Sequence, residues 1–252
     1  MNKEQTLAKY LAPLLRGDRE ACRRVIEETL QSGIPANSVY AQVIWPIMIE
    51  IEKLDRADRI SPVQEHLATR INRTIVDQLQ NKLPRREKKN KQVAVCCAEA
   101  ELQELGAQMI ADLFESDGWE VRFLGGGLSN DDIYGFVNEY GPDLLVIYGT
   151  TPKQAPQTRL LIDTIKAVNA WPTMRIMVAG GVFGRAEGLW EEIGADAFAA
   201  NPIDALKNAS DQPEGYTAQR TINRRKKRKA PVIEEAKTTR RVKRTKVSPT
   251  RK

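Results

Sequence analysis

Few residues of this chain could do chemistry, because it has one histidine, His66, and three cysteines. A hydrolytic Ser/His/Asp arrangement needs a histidine beside its nucleophile, so independent hydrolytic chemistry is not expected. Cys96 and Cys97 lie in an apolar run where nothing nearby would lower a thiol pKa, and we interpret them as core. The remaining candidates are carboxylates, amides and glycines that follow apolar segments. They indicate ligand binding rather than self-contained catalysis.

The other candidates are arranged around residues 93–106, VAVCCAEAELQELG. Val93–Cys97 is apolar without alternation, which predicts a central strand covered on both faces of a sheet. Leu105–Ser116 repeats apolar residues with a helical period. Ala98–Glu104 should therefore project from the carboxyl edge of the sheet, where open α/β folds bind ligands.

The chain after this stretch alternates strand and helix patterns up to residue 207. Such alternation predicts an α/β domain over residues 92–207, with a flavodoxin-like doubly wound five-stranded parallel sheet of order 2-1-3-4-5. The later strands are expected at Trp119–Leu124, Leu144–Tyr148, Arg175–Ala179 and Ala197–Ala200, and the later helices at Asn130–Tyr140, Thr158–Asn169 and Ala186–Ile193. In this order, the turns that follow Cys97 and Ile147 face each other across a crevice, with Gly180 and Gly181 close by.

Residues 4–80 read as helices only, which predicts a four-helix bundle cap before the α/β domain. The third helix, Asn37–Leu54, should kink at Pro46. Ser61 and Gln64 form a capping-box pattern at the start of the fourth. Residues 81–91, with a proline and six basic residues, are interpreted as a linker.

Charge separates the C-terminal tail from the rest of the chain. From Thr217 to Lys252 there are 15 Lys or Arg residues against Glu234 and Glu235, a net charge of +13, which leaves −7 for the remainder of a chain whose total is +6. Residues 208–252 are expected to be a disordered basic tail. Its basic runs suit contact with DNA or RNA phosphates, the alternative being a solvated tail or a localisation signal. The runs comprise Arg224, Arg225, Lys226, Lys227, Arg228, Lys229, Arg240, Arg241, Lys243 and Arg244.

Cysteine usage and hydropathy indicate the compartment. No disulfide framework appears, and no apolar stretch approaches the roughly 20 residues of a membrane-spanning helix. We expect a soluble cytoplasmic protein with no membrane partner.

Two groups of candidate residues can also be interpreted as purely structural. By spacing alone, His66 is a histidine at the rim of a helical core, and Gly180 and Gly181 form a tight turn, although bare backbone at a strand end also admits a ligand. Gly125, Gly126 and Gly127 lack the GxGxxG spacing of a dinucleotide loop.

With these residues in place, ELQELG at Glu101–Gly106 resembles the DxHxxG motif of cobalamin-binding domains. Further elements resemble the family in order: GWEVRFLG at 118–125, PDLLVIYG at 142–149, VAGG at 178–181 and GADAFAANP at 194–202. LDRADRISPVQEH at 54–66 is similar to the WxxxxxxxxxEH pattern of the helical cap in methionine synthases and light-sensing cobalamin regulators. The resemblance covers about residues 4–206.

This resemblance implies cobalamin, as adenosyl- or methylcobalamin, and a set of contact residues. In the family the motif histidine replaces the corrinoid's own base as lower cobalt ligand, and the nucleotide arm enters a crevice lined by glycine and small hydroxyl residues. The matching positions here are Glu65, His66, Glu101, Gln103, Gly106, Gly125, Tyr148, Gly180 and Gly181, with His66 and Gln103 as the metal candidates.

Three matching positions depart from the family pattern. Gln103 stands for the histidine, and an amide oxygen is a poor ligand for a late transition metal. Tyr148 replaces a serine, so its ring would crowd the crevice. Asp55 replaces the tryptophan that shields the upper face.

Three functions are compatible with these residues. The favoured one is a cobalamin-binding sensor or regulator whose cap covers the cofactor and whose basic tail contacts nucleic acid, with a possible protein partner. The alternatives are a degenerate, cofactor-free interaction domain and a corrinoid carrier subunit for methyl transfer. A self-contained enzyme is not expected.

Overall fold

The computed structural model describes residues 3–210. The basic runs proposed for nucleic-acid contact, Arg224–Lys229 and Arg240–Arg244, lie outside the described residues. Within residues 3–210, no helix is both long and apolar enough to span a bilayer.

A five-stranded parallel sheet of order β2-β1-β3-β4-β5 forms the centre of the C-terminal half, as the sequence predicted. The strands are β1 (Gln92–Cys97), β2 (Glu120–Gly125), β3 (Leu144–Tyr148), β4 (Arg175–Ala179) and β5 (Ala197–Ala199). Residues of β1 and β3 pair in register from Val93↔Leu144 to Cys97↔Tyr148, which brings the ends of these two strands side by side. The switch point of the sheet therefore lies between β1 and β3.

Eleven α-helices of the described residues flank or precede this sheet. They are α1 (Lys3–Leu15), α2 (Arg19–Gln31), α3 (Ala36–Val39), α4 (Trp45–Arg56), α5 (Pro62–Gln80), α6 (Leu105–Ser116), α7 (Asn130–Tyr140), α8 (Ala155–Val168), α9 (Gly181–Arg185), α10 (Leu189–Glu192) and α11 (Pro202–Ser210). The two faces of the sheet bury separate cores: odd-numbered residues of β1 pack with α6 and the N-terminal helices, and even-numbered ones pack with α7 and α8. Central strands buried on both faces explain the unbroken apolar run of β1.

The N-terminal helices differ from the prediction at Pro46. In place of one kinked helix, a π-helical turn (Tyr40–Ile44) joins α3 to α4, and Pro46 lies in the first turn of α4. Proline cannot donate a backbone hydrogen bond, and a π turn accommodates that loss by changing the hydrogen-bond register. The capping box of Ser61 and Gln64 is confirmed, since the Gln64 N–H donates to Ser61 Oγ at 3.3 Å.

Two other helix predictions need correction. Of the helix expected over Ala186–Ile193 only α10 forms, because Ala186 is extended and Gly188 has φ +75°, and the short helix α9 that precedes this span was not predicted. The sequence patterns also did not predict α11, which packs against α6 and β5.

A buried polar network joins the N-terminal helices to the sheet layer. Tyr40 donates a hydrogen bond to Asp112 Oδ2 at 2.9 Å, and Gln80 Nε2 donates to Asp112 Oδ1 at 3.0 Å. The interpreted linker is also held: Arg86 Nη1 and Lys89 Nζ donate to the Asp117 carboxylate at 2.9 and 2.6 Å. The cap formed by α1–α5 is thus joined to α6 through Asp112, and the linker is joined to Asp117, the residue after α6.

Candidate functional site

The candidate site lies at the carboxyl edge of the sheet, where the loops after β1 and β3 meet. Glu101, in the loop after β1, is only 2% exposed. Its Oε2 accepts hydrogen bonds from Thr150 N and Thr150 Oγ1, both at 2.7 Å, and its Oε1 accepts one from Gln103 N at 2.8 Å. A buried carboxylate needs such partners because desolvation penalises its charge. Glu101 therefore fastens the β1 loop to the β3 loop.

Tyr148, the last residue of β3, is buried at 5% exposure beside the start of α6. A Cβ added at Gly106 would come within 3.0 Å of three atoms of the Tyr148 phenol, so the missing side chain at Gly106 makes the space that this ring occupies. Burial raises the pKa of Tyr148, which keeps the phenol neutral at physiological pH. The ring fills the crevice between β1 and β3.

The glycines after β2 and β4 lie at the same edge, next to other groups of the protein. Gly180 has φ +102°, and a Cβ there would collide with the Gly149 backbone. A side chain at Gly181 would meet the Arg185 guanidinium and the Glu52 carboxylate, while Gly125 lies near Glu104. The bare backbone at these positions is thus approached by the chain's own atoms.

Two ion pairs connect the cap to this edge. Arg73 of α5 lies 3.2 Å from Glu104 Oε2, and Glu104 Oε1 accepts a hydrogen bond from Gly126 N at 2.9 Å. On the other side, Arg185 pairs with Glu52 of α4 and donates to the Thr150 carbonyl. The loops after the first four strands are joined to each other or to the cap through these contacts.

His66 and Glu65 lie on the N-terminal half of α5. The His66 side chain is 76% exposed, with Nε2 3.8 Å from Glu65 Oε2, and Glu65 also accepts a hydrogen bond from Thr69. His66 lines a groove of about 350 Å³ together with Pro62, Val63, Leu67 and Arg70. Val63 is 68% exposed, and Leu67, which lies against Gly17 in the turn between α1 and α2, is 41% exposed, so this face of α5 carries apolar surface that is largely uncovered within the described residues.

The two candidate metal ligands lie on separate elements, His66 on α5 and Gln103 in the loop after β1. Within residues 3–210 there is no group of three or more His, Cys, Asp or Glu side chains that could hold a metal ion. Burial raises the pKa of the Cys96 thiol to about 12, which matches its interpretation as core. The chain itself offers no imidazole at position 103.

Sequence reasoning did not find the charged residues that fasten the cap, namely Arg73, Glu104, Arg185 and Glu52. One signal was available: Val63, His66, Arg70 and Arg73 follow a spacing of three and four residues, which places them along one face of α5. The Arg185–Glu52 pair joins positions 133 residues apart and has no local signature.

Comparison with known proteins identifies the family. One family model, described as "B12 binding domain", matches residues 6–80, and a second with the same description matches residues 91–207. The chain belongs to the cobalamin-binding domain family. The first model covers the helical cap and the second covers the α/β domain with its carboxyl edge.

The solved structure of one corrinoid protein shares the fold, and two further structures are similar at lower TM-scores. The monomethylamine corrinoid protein of Methanosarcina barkeri is 19% identical, with a TM-score of 0.74 over 82% of this chain and 98% of that one. A cobalamin-binding protein of Desulfitobacterium hafniense is 18% identical, with a TM-score of 0.45 over 83% and 97%. The methanol:cobalamin methyltransferase complex of Methanosarcina barkeri is 12% identical, with a TM-score of 0.46 over 87% and 85%. The comparison with curated protein sequences gives no match.

Family membership supports cobalamin as the cofactor of this chain. The residues fit the corrin ring of cobalamin but not an inserted nucleotide arm. The uncovered apolar face of α5 suits a large, flat, mostly apolar ring. The crevice between β1 and β3 does not suit an inserted nucleotide arm, because the Tyr148 ring and the Glu101 carboxylate occupy it.

Proposed function

We propose that the protein is a cobalamin-binding sensor or regulator in which the cap covers the corrin ring. The observation that carries this proposal is the uncovered face of α5, where Val63, His66, Leu67 and Arg70 line an open groove in a domain of the B12-binding family. A corrin ring placed against this face would bury Val63 and Leu67, and their burial would favour binding. His66 would approach the upper face of the ring.

The ion pairs that attach the cap to the sheet edge are weak enough for a ligand to change the position of the cap. The Arg73–Glu104 and Arg185–Glu52 pairs are partly exposed, with side-chain exposures between 26% and 39%. Ion pairs with this much solvent access contribute about 0–1 kcal/mol each. A ligand that binds one arrangement of the cap better than another can therefore displace these contacts, since it shifts the equilibrium by its differential affinity.

Gln103 favours a regulator over a carrier for methyl transfer. The carriers that the motif resembles use an imidazole at this position, and Gln103 supplies an amide on a loop whose backbone is held by Glu101. Without that imidazole, lower-face ligation by the protein is lost, and with it the control of cobalt chemistry that a carrier needs.

Reconstitution tests this proposal. The purified full-length protein is incubated with adenosyl-, methyl- or hydroxocobalamin, desalted, and examined by visible spectroscopy in the dark and after illumination. Retained colour in the absence of any partner, with a light- or ligand-dependent change in cap exposure to limited proteolysis, is the expected result. Retained colour with methyl transfer only beside a partner protein would favour the carrier function instead.

The second candidate is a cofactor-free interaction domain. The observation that favours it is the filled crevice. Tyr148 is buried there, and the Glu101 carboxylate is hydrogen-bonded within the chain, so neither group needs a ligand as a partner. A colourless eluate with all three cobalamins would establish this candidate and refute the first.

We further propose that the basic tail contacts nucleic acid. Support comes from the net charge of +13 over Thr217–Lys252, because clustered Lys and Arg neutralise phosphates and release counterions. Retention on a DNA column at low salt should be strong and fall steeply as salt rises. Deletion of Thr217–Lys252 should abolish it, and unchanged retention of the truncated protein would refute this role.

A further inference from the structure

The crevice between β1 and β3 is closed by residues that depend on one another. The Tyr148 ring occupies the volume that a side chain at position 106 would take, and Gly106 leaves it free. The ring itself is 5% exposed, and Leu105 and Ala107 on either side of Gly106 are 3% and 0% exposed. The ring is thus part of the packed core and not a loose cover.

Glu101 closes the polar side of the same crevice. Its carboxylate is 2% exposed and accepts three hydrogen bonds of 2.7 to 2.8 Å from Thr150 and Gln103. These bonds tie the loop after β1 to the loop after β3, so an inserted nucleotide arm would have to separate the two loops.

Arg185, the nearest cation to this part of the edge that the contacts identify, is already engaged within the chain. Its guanidinium pairs with Glu52 and donates to the Thr150 carbonyl. A phosphate of the nucleotide arm that recruited Arg185 would therefore exchange with these contacts and release α4 from this edge.

We infer that this chain binds a corrinoid with the nucleotide arm outside the β1–β3 crevice, and so does not distinguish cobalamin from cobinamide, which lacks the arm. The inference rests on the proposed cobalamin binding and concerns only its mode. Because position 103 supplies no imidazole, the arm's own base stays available as the lower ligand, and bound cobalamin keeps its base-on form.

The first test uses the unmodified full-length protein at pH 7. Dissociation constants for hydroxocobalamin and for hydroxocobinamide are measured by quenching of tryptophan fluorescence, and the visible spectrum of bound methylcobalamin is recorded. Constants within about threefold of each other and a base-on spectrum are expected. Cobalamin binding more than tenfold tighter than cobinamide, with a base-off spectrum, would overturn the inference while leaving the proposed function intact. Failure of both ligands to bind would overturn the proposed function, and the inference with it.

Two variants identify what excludes the arm. Gln103→His supplies the imidazole but leaves the crevice filled, so bound methylcobalamin should stay base-on. Gln103→His combined with Tyr148→Ser opens the crevice as well, so the new imidazole should replace the arm's base, which is detected as ¹⁵N coupling in the EPR spectrum of bound cob(II)alamin when the protein's histidines are ¹⁵N-labelled. Gln103→His combined with Tyr140→Ser is the matched control, because Tyr140 packs on Phe136 in α7, away from the crevice. Histidine ¹⁵N coupling with Gln103→His alone would show that Tyr148 does not exclude the arm.

Discussion

Asp112 should make the stability of the protein depend on pH between about 4 and 7. Its carboxyl is 5% exposed at the contact between the cap and α6. Burial raises its pKa from 3.8 to about 6, with Glu115 and Asp77 adding to the rise and hydrogen bonds from Tyr40 and Gln80 opposing it. The native state therefore holds a proton that the unfolded chain has already lost in this pH range.

The size of the effect follows from the two pKa values. Because the folded-state pKa is the higher one, the stabilising contribution is complete below about pH 4 and is lost as the pH rises through about 6. The full difference is about 3 kcal/mol at 1.36 kcal/mol per pKa unit. Between pH 7.5 and pH 5, roughly 1.4 kcal/mol of it should be recovered.

Urea unfolding of the wild type and of Asp112→Asn at several pH values from 5 to 7.5 measures this contribution. The difference in unfolding free energy between the two proteins cancels the titration of groups that do not contact Asp112. It should change by about 1.4 kcal/mol over this range in favour of the wild type at low pH. Tyr40→Phe, which keeps the carboxyl but removes one hydrogen bond to it, should retain a pH dependence. Parallel stability profiles for the wild type and Asp112→Asn would refute the reasoning.

Four further outcomes follow from local features of the structure. Asp117→Asn removes the carboxylate that holds two cations of the linker at 2.6 and 2.9 Å, and should lower the unfolding free energy by about 1–2 kcal/mol in urea titrations. Gly180→Ala meets both a positive φ and the Gly149 backbone, so its cost should exceed about 2 kcal/mol. Gly127→Ala, with φ +79° but no atom within 4 Å, isolates the backbone cost of about 1 kcal/mol. Cys96 should resist a thiol reagent at pH 8 until the protein unfolds, because burial raises its pKa to about 12.

The positions of the strands and the helix caps could be predicted because they depend on local patterns, whereas the strand order followed from the alternation of strands and helices. Apolar runs of β1 and β3, and a serine followed three residues later by a polar side chain at Ser61 and Ser129, are short-range signals. Predictions failed where a proline or a glycine redirected a helix, as at Pro46 and Gly188. There the sequence shows that a helix is perturbed but not whether it kinks, becomes a π turn or stops.

The candidate site could be predicted less completely. Sequence placed Glu101 and Tyr148 at the edge of the sheet and indicated that the tyrosine would crowd the crevice. It did not show that Gly106 makes room for that ring, because the contact joins residues 42 positions apart through the pairing of β1 with β3. The ion pairs between the cap and the sheet edge are likewise long-range, and no sequence periodicity indicates which arginine pairs with which glutamate.

The filled crevice determines which substitutions would be needed before this edge could receive the nucleotide arm. Replacing Tyr148 alone by serine would remove a buried ring and leave a cavity beside Gly106, at a cost of about 3–5 kcal/mol if nothing filled it. An inserted nucleotide arm could occupy that volume only if the loops that Glu101 ties together, after β1 and β3, also moved apart. The Tyr148 ring fills the space, and the Glu101 hydrogen bonds hold the loops around it. Neither Gln103→His nor Tyr148→Ser alone should therefore convert this edge into a site that receives the arm as favourably as one with both an imidazole and a small residue.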